Sequence, residues 1–200
     1  MVKKYFGTDG VRGIANTYPI TPDIALKIGM AAGLFLSNGS HKKRVVIAKD
    51  TRLSGYMLES AMTSGFTAVG MDVFLLGPMP TPAVSLLTKS LRADLGVMIS
   101  ASHNTYEYNG IKIFGNDGYK LTDAEEIEIE NIIQNLDNLN IDRQKIGKAK
   151  RIEDAQARYI EYIKGTIDRR ISFEGLKVVI DSAHGAGYRV SPQTLSLIHI

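Results

Sequence analysis

Apolar residues at Ile24, Ile28, Ala31, Ala32 and Phe35 follow helical spacing and predict a buried helix face. Thr21-Pro22 ahead of them supplies a hydroxyl N-cap and a proline at the first helical position, where the missing N–H costs nothing; Gly39 should end the run. Thr81-Pro82 repeats that start signal. A third start is Thr122 with Glu125, the spacing of a capping box. The next residues, Glu126 to Glu130, alternate like a strand, but Ile129, Ile132, Ile133 and Leu136 recur at helical spacing, and the cap plus the longer pattern predict a helix. Short apolar runs rich in branched residues predict strands at Arg44 to Ala48, Asp72 to Leu76, Leu95 to Ser100, Ile111 to Phe114 and Lys177 to Asp181.

The strands alternate with helices, since Ser54 to Val69 is helical in length and pattern and a helix follows Thr81. That order predicts an α/β fold with a right-handed parallel sheet, to which Ile111 to Phe114 adds an antiparallel or edge strand. Ligands in such sheets sit at the carboxyl ends of strands, which directs attention to the loops Lys49 to Gly55 and Ala101 to Gly110. Farther on, Arg143, Lys145, Lys148, Lys150 and Arg151 read as a solvated cationic connector. A helix whose Tyr159, Ile160, Ile163 and Ile167 pack back on the first domain follows, and a new unit starts at Gly175 with the strand Lys177 to Asp181 and the turn Ser182 to Gly187.

Composition narrows the chemistry. With 200 residues and 44% apolar content the chain can bury a real core and exceeds one typical domain of about 150 residues. The absence of cysteine removes disulfides, thiolate metal sites and cysteine nucleophiles, so oxygen and nitrogen groups must act. The longest apolar stretch, Ile28 to Leu36, is far below the ~18 residues of a membrane span, and Met1 to Gly7 lacks the apolar core of a signal peptide. The expectation is a soluble cytoplasmic chain without membrane contact. A net charge of +3 suits small anions and gives no indication of nucleic acid binding.

Three segments could carry chemistry. Ile99-Ser100-Ala101-Ser102-His103-Asn104 places two hydroxyls, an imidazole and an amide directly after a buried strand. Alone it reads as a polar turn with Ser102 bonding the backbone, or as a site, given Lys112 on a strand that can return beside it and Gly110 where another group would approach. A serine hydrolase is disfavoured, because there is no G-x-S-x-G elbow and the adjacent His103 should point elsewhere. Phe6-Gly7-Thr8-Asp9-Gly10-Val11-Arg12-Gly13 offers backbone N–H groups and the planar fork of Arg12 to an anion. Asp50-Thr51-Arg52-Leu53-Ser54-Gly55 puts a second arginine on a strand-to-helix loop; Arg52 either meets a phosphate or lies exposed while Asp50 or Ser54 caps the helix.

In order and spacing these segments resemble the α-D-phosphohexomutases, together with Asn109-Gly110-Ile111-Lys112, the stretch Gly147 to Ala155, and Gly175 to Gly187. The resemblance spans residues 2 to 192 and is nearer to the branch acting on glucosamine phosphates than to the mannose and glucose mutases, whose serine loop usually begins with threonine. It implies a three-layer, parallel-rich sheet with helices on both faces over residues 1–150, a connecting helix and linker over 151–174, and the start of a similar second domain over 175–200.

The resemblance also implies interconversion of glucosamine 6-phosphate and glucosamine 1-phosphate through a phosphoserine and a bisphosphate. Ser102 matches the phosphate carrier and one ligand of Mg2+, whose other ligands are expected beyond residue 200. Arg12, His103 and Lys112 match the groups around a phosphoserine, which needs cations, with Lys112 as acid and base for the sugar hydroxyl. Arg12, Arg52 and Lys112 are the expected substrate contacts, glucosamine or glucose 1,6-bisphosphate the phosphoryl activator, and a homodimer is compatible with the full-length protein. The alternatives are a phosphomannomutase or phosphoglucomutase, or a noncatalytic phosphosugar-binding domain. One departure is Thr105, where the family has proline. Another is the length: the metal loop, the sugar-selecting loop and the final phosphate-binding domain are expected past residue 200, so this chain alone should not turn over substrate. Leu195 to Ile200 resembles translated sequencing adapter, and His199 is expected to carry no function.

Overall fold

The computed structural model describes residues 3–36, 41–139, 141–142, 144–168 and 170–198. Strand β1 (Val11–Ile14) leads to helix α1 (Pro22–Phe35), followed by β2 (Arg44–Lys49), α2 (Ser54–Ala68), β3 (Asp72–Pro78), α3 (Thr81–Ser90), β4 (Leu95–Ile99) and β5 (Tyr108–Gly115). Then come α4 (Asp123–Asn135), a 3-10 turn, β6 (Ala149–Arg151), α5 (Ala155–Gly165) and α6 (Val190–Leu197). The six strands form one sheet in the order β1-β5-β4-β2-β3-β6. The four strands β4, β2, β3 and β6 run parallel, while β5 is antiparallel to both β4 and β1.

Alternation along each strand sends side chains to two cores. On one face Val45, Ile47, Val97, Ile99, Ile111 and Ile113 pack against α1, α2 and α4; on the other Val46, Ala48 and Met98 pack against Val84 and Leu87 of α3 and Tyr159 and Ile160 of α5. The result is three layers, helices over both faces of a parallel-rich sheet, as the strand and helix alternation predicts. Burial also raises the pKa of the Tyr159 hydroxyl.

The helix starts follow the sequence with one shift. Thr21 stands at the N-cap of α1, with Pro22 after it, but its hydroxyl does not make the expected cap bond, whereas Thr122 caps α4 in a reciprocal capping box with Glu125. At α3 the cap is Pro80, so Thr81 and Pro82 are the first two helical residues. The last described helical turn of α1 ends at Leu36, and the stop expected at Gly39 lies outside the described residues, as do Arg143 and His199.

Three expectations are corrected. Ile111 to Phe114 is antiparallel, as one of its two readings has it, but not an edge strand: β5 lies inside the sheet because Val11–Ile14 pairs along its other side. The cationic stretch is not solvent-only, since Ala149–Arg151 pairs with β3 and the Lys150 Nζ lies 4.7 Å from the centre of the Phe74 ring. Lysine and arginine disguise this strand in sequence because an edge strand with both faces exposed needs no apolar alternation. Third, Lys177 to Asp181 forms no strand; Val179 is 97% exposed, and among the described residues no neighbouring strand pairs with it. Farther along, α6 buries Val190 and Thr194, so the end of the described chain does find packing.

The amino-terminal segment is tied to α4 by carboxylates. Glu130, itself 4% exposed, accepts the backbone N–H groups of Lys4, Tyr5 and Phe6 at 2.7, 2.7 and 2.8 Å. The Lys3 ammonium bonds Asp123 at 2.5 Å and also Glu126, which hold its pKa above the usual value, while the same ammonium holds the Asp123 carboxyl below its own. This clamp fixes the chain just ahead of β1 and its arginine. Glu130→Ala would strip three amides of one acceptor and is expected to lower stability by about 2–4 kcal/mol. Urea unfolding measures it, and a loss below about 0.5 kcal/mol, the scale of an inert surface change, would show that the clamp does not hold this segment.

Candidate active site

Strand β4 is buried throughout, and its last hydrogen bonds lead straight into the serine loop: the Ser100 N–H donates to the Gly110 carbonyl at 2.9 Å. Two residues on, Ser102 adopts φ +59°, a left-handed conformation that costs a side-chain-bearing residue about 1–2 kcal/mol. Neighbouring groups hold it there. The Ser102 N–H donates to Ser100 Oγ at 3.0 Å, and the Ser100 hydroxyl donates to Asp50 Oδ2 at 2.7 Å. Asp50 follows β2, is 7% exposed, and is anchored by its own N–H to the Ile99 carbonyl at 3.0 Å.

Arg52 closes the arrangement from the carbonyl side. Its Nε donates to the Tyr108 carbonyl at 2.8 Å, its Nη2 to the carbonyls of Asn104 at 2.6 Å and Ser102 at 3.2 Å, and its Nη1 to Asp50 Oδ2 at 3.2 Å. The Arg52 side chain is therefore not exposed, which removes that reading of the loop. Ser102 itself is exposed, and its Oγ makes no bond to backbone; the nearest group is His103 Nδ1 at 3.4 Å. The imidazole thus lies beside the hydroxyl, contrary to the expectation that it points elsewhere, and the polar-turn reading of Ser102 is not what the loop adopts.

Strands β5 and β1 bring the other cations to the same end of the sheet. Arg12 pairs with Gly110 across β1 and β5, and Lys112 pairs with Met98 across β5 and β4. Gly110 is required: a Cβ there would lie 2.8 Å from the Ser100 carbonyl oxygen and 2.9 Å from Arg12 Cγ. Gly10, at φ +84°, would place a Cβ 2.3 Å from the Ile111 carbonyl oxygen. These glycines serve close packing of the amino-terminal stretch on β5 rather than forming an open cradle of N–H groups. Asn109, fully buried, ties β5 to the start of α2 by donating to Ser54 Oγ at 2.8 Å while its Oδ1 accepts the Gly110 N–H.

The two arginines differ in what they have left to offer. Among the described residues the Arg12 guanidinium pairs with Asp9 Oδ2 alone, at 3.3 Å, and its Nε is buried without a hydrogen-bond partner, whereas Arg52 is engaged on all three nitrogens. Lys112 is half-buried and makes no hydrogen bond or ion pair among the described residues. Ser102, His103, Asn104, Tyr106, Asp50 and Arg52 line a cleft of about 880 Å³, closed on its far side by residues 182–186. Thr51 Oγ1 donates to the His184 carbonyl at 2.6 Å across it. Arg12 and Lys112 stand outside the cleft lining.

Asp50 and Ser100 are the parts that sequence reasoning missed. Asp50 follows one predicted strand and Ser100 ends another, but their contact depends on β2 and β4 being neighbours in the sheet, an order the sequence pattern does not give. Among the described residues no group of three or more His, Asp or Glu could hold a metal ion, and both Asp50 oxygens already accept bonds.

The comparisons with known proteins agree with this geometry. Residues 3–140 match the family described as phosphoglucomutase/phosphomannomutase, alpha/beta/alpha domain I. Two relatives called phosphoglucosamine mutase are similar over nearly all of the chain: one from Parvibaculum lavamentivorans, 62% identical over 98% of it, and one from Methylobacterium radiotolerans, 61% identical over 98%. The chain spans 44% of the length of each. In three dimensions it resembles a phosphoglucomutase/phosphomannomutase family protein from Burkholderia thailandensis with a TM-score of 0.79 and 26% identity, covering 94% of this chain and 40% of that one. With a family match over residues 3–140 and a similar three-dimensional fold, the chain belongs to the phosphoglucomutase/phosphomannomutase family and carries its α/β/α domain I.

Proposed function

We propose that this chain is the phosphoserine domain of a phosphoglucosamine mutase, interconverting glucosamine 6-phosphate and glucosamine 1-phosphate with Ser102 as phosphate carrier. The observation that carries the proposal is the Ser102 hydroxyl: exposed to the cleft, without a backbone partner, on a residue held in a left-handed conformation. The relatives' name supports the sugar, as do the serine-loop features noted in the sequence.

In the proposed cycle, phospho-Ser102 gives its phosphoryl group to the free hydroxyl of the sugar monophosphate. The Ser102 oxygen leaves with the electron pair of the broken P–O bond, the sugar hydroxyl loses its proton, and a 1,6-bisphosphate forms. After the bisphosphate turns over, its other phosphate moves to Ser102 and the proton returns to the sugar oxygen. Each phosphoryl group received balances one donated. A bisphosphate activator loads a dephosphorylated enzyme by the same step.

Lys112 is the proposed acid and base, and the buried, unpartnered Nε of Arg12 is the proposed donor to the phosphate at Ser102, since a phosphoserine brings nearly two negative charges that need cations. The His103 imidazole, next to the hydroxyl, adds a further donor when protonated. Magnesium would take one ligand here, an oxygen of phosphorylated Ser102, and would supply neutralisation of charge on the transferring group.

Two measurements on the full-length protein test the reading. Ser102→Ala should abolish mutase turnover, and Lys112→Ala should lower kcat by about 10²–10⁴-fold, the range of a lost general acid and base, with a smaller change in KM. Full activity in Ser102→Ala would sink the assignment, and equal loss in kcat and binding would make Lys112 a binding group only. For the loop itself, no acceptor lies opposite the Thr105 N–H among the described residues, so proline removes no hydrogen bond. Thr105→Pro is therefore expected to raise stability by about 0.4–1 kcal/mol by restricting the unfolded chain. A lower melting temperature with lower activity would mean that Thr105 has rebuilt the loop.

A further inference from the structure

We infer that Arg52 and Ser100 are positioning residues that hold the serine loop through Asp50, and that Arg52 does not bind the substrate phosphate. The inference rests on the reading of Ser102 as carrier and adds how the chain keeps that residue in place.

An arginine has five N–H donors. Those of Arg52 reach the carbonyls of Ser102, Asn104 and Tyr108, which bracket the loop, and the Asp50 carboxylate. Its side chain is only 10% exposed. These four bonds leave one N–H, on Nη1, so a phosphate could gain the forked contact an arginine offers only by displacing acceptors that would then lose their donors. Nothing of the kind constrains Arg12, whose Nε is buried and unpartnered.

The two sides of the Ser102 backbone are held separately. Its N–H is taken by Ser100 Oγ and its carbonyl by Arg52 Nη2, and both holders end on the same atom, Asp50 Oδ2, at 2.7 and 3.2 Å. Without them the left-handed φ of Ser102 is held only by the turn bond from the Asn104 N–H to the Ala101 carbonyl, at 3.2 Å, and the residue would relax toward the commoner regions of backbone space. Ile99 and Ala101 on either side of Ser100 are fully buried in their own right, so the loss would loosen the loop and leave the sheet standing. A carrier that must meet two different sugar oxygens in line is sensitive to such loosening, because misplacement by about 1 Å costs about 10²-fold in rate.

The test uses the full-length protein with glucosamine 1-phosphate and a catalytic amount of glucose 1,6-bisphosphate. Arg52→Met should lower kcat about 100-fold while KM stays within about threefold, as loss of an interaction that matters only in the transition state does. Ser100→Ala should lower kcat in the same sense, and Ser100→Thr, which keeps the hydroxyl, should recover most of it. Amide exchange gives the second readout: in Arg52→Lys the amides of Ser102 to Asn104 should exchange faster while those of β4 stay protected. A raised KM with unchanged kcat in Arg52→Met would make Arg52 a substrate ligand and overturn the inference. Equal activity of Ser100→Ala and Ser100→Thr, or unchanged exchange in the loop, would overturn it as well. Failure of the carrier reading is separate and shows in the unsubstituted protein, as absence of phosphate on Ser102 after incubation with the bisphosphate.

Discussion

Everything at the carboxyl end of this sheet converges on the space that Gly110 leaves empty. The Ser100 carbonyl, the Val11 carbonyl and the Arg12 side chain all come within 2.9 Å of where its Cβ would be, so three strands meet there at closer range than any larger residue permits. Strand β5 can then lie antiparallel between β4 and β1, and its pairing sets Arg12 opposite Gly110 and Lys112 opposite Met98. The positions of the serine loop and of both cations follow from this one seam. A substitution at Gly110 would act on all of them together.

Electrostatics divides the labour on this scaffold. Carboxylates serve the structure: Glu130 gathers three amides, Glu126 receives Lys3 and Lys120, and Asp50 holds the serine loop. Each is nearly buried, where an ionised group is tolerated only with several partners. Arginines divide likewise, Arg52 engaged by backbone carbonyls and Arg12 left with a donor in hand. The cleft's own arginine and carboxylate, Arg52 and Asp50, are thus occupied with each other and with the serine loop, while Arg12 and Lys112 stand outside its lining.

The amino-acid sequence made much of this legible, for reasons that differ by element. Central strands such as Arg44–Lys49 and Leu95–Ile99 are buried on both faces and read as continuous apolar runs. The capping box at Thr122 and Glu125 was readable because its chemistry is local. Val11–Ile14 and Ala149–Arg151 escaped notice because edge strands borrow their order from a neighbour distant in sequence; β1 was read only as a glycine-rich turn. Lys177 to Asp181 is the opposite case, an apolar run with strand character that finds no partner among the described residues. Of the residues that the motif resemblance names, Ser102, His103 and Arg52 line the cleft, and Arg12 and Lys112 do not. The Asp50–Ser100–Ser102 chain was not legible, since it joins residues 50 positions apart whose meeting depends on β2 and β4 lying side by side.

The central claim is that, of the two serine-loop hydroxyls that line the cleft, the fold leaves that of Ser102 exposed and keeps that of Ser100 bound to Asp50. Mass-spectrometric localisation of phosphate on the full-length protein, after incubation with a sugar 1,6-bisphosphate, tests it most directly. The account predicts phosphate on Ser102 and none on Ser100. Phosphate on Ser100 would contradict it, because that hydroxyl would have to leave Asp50 and the loop could not then have the geometry described.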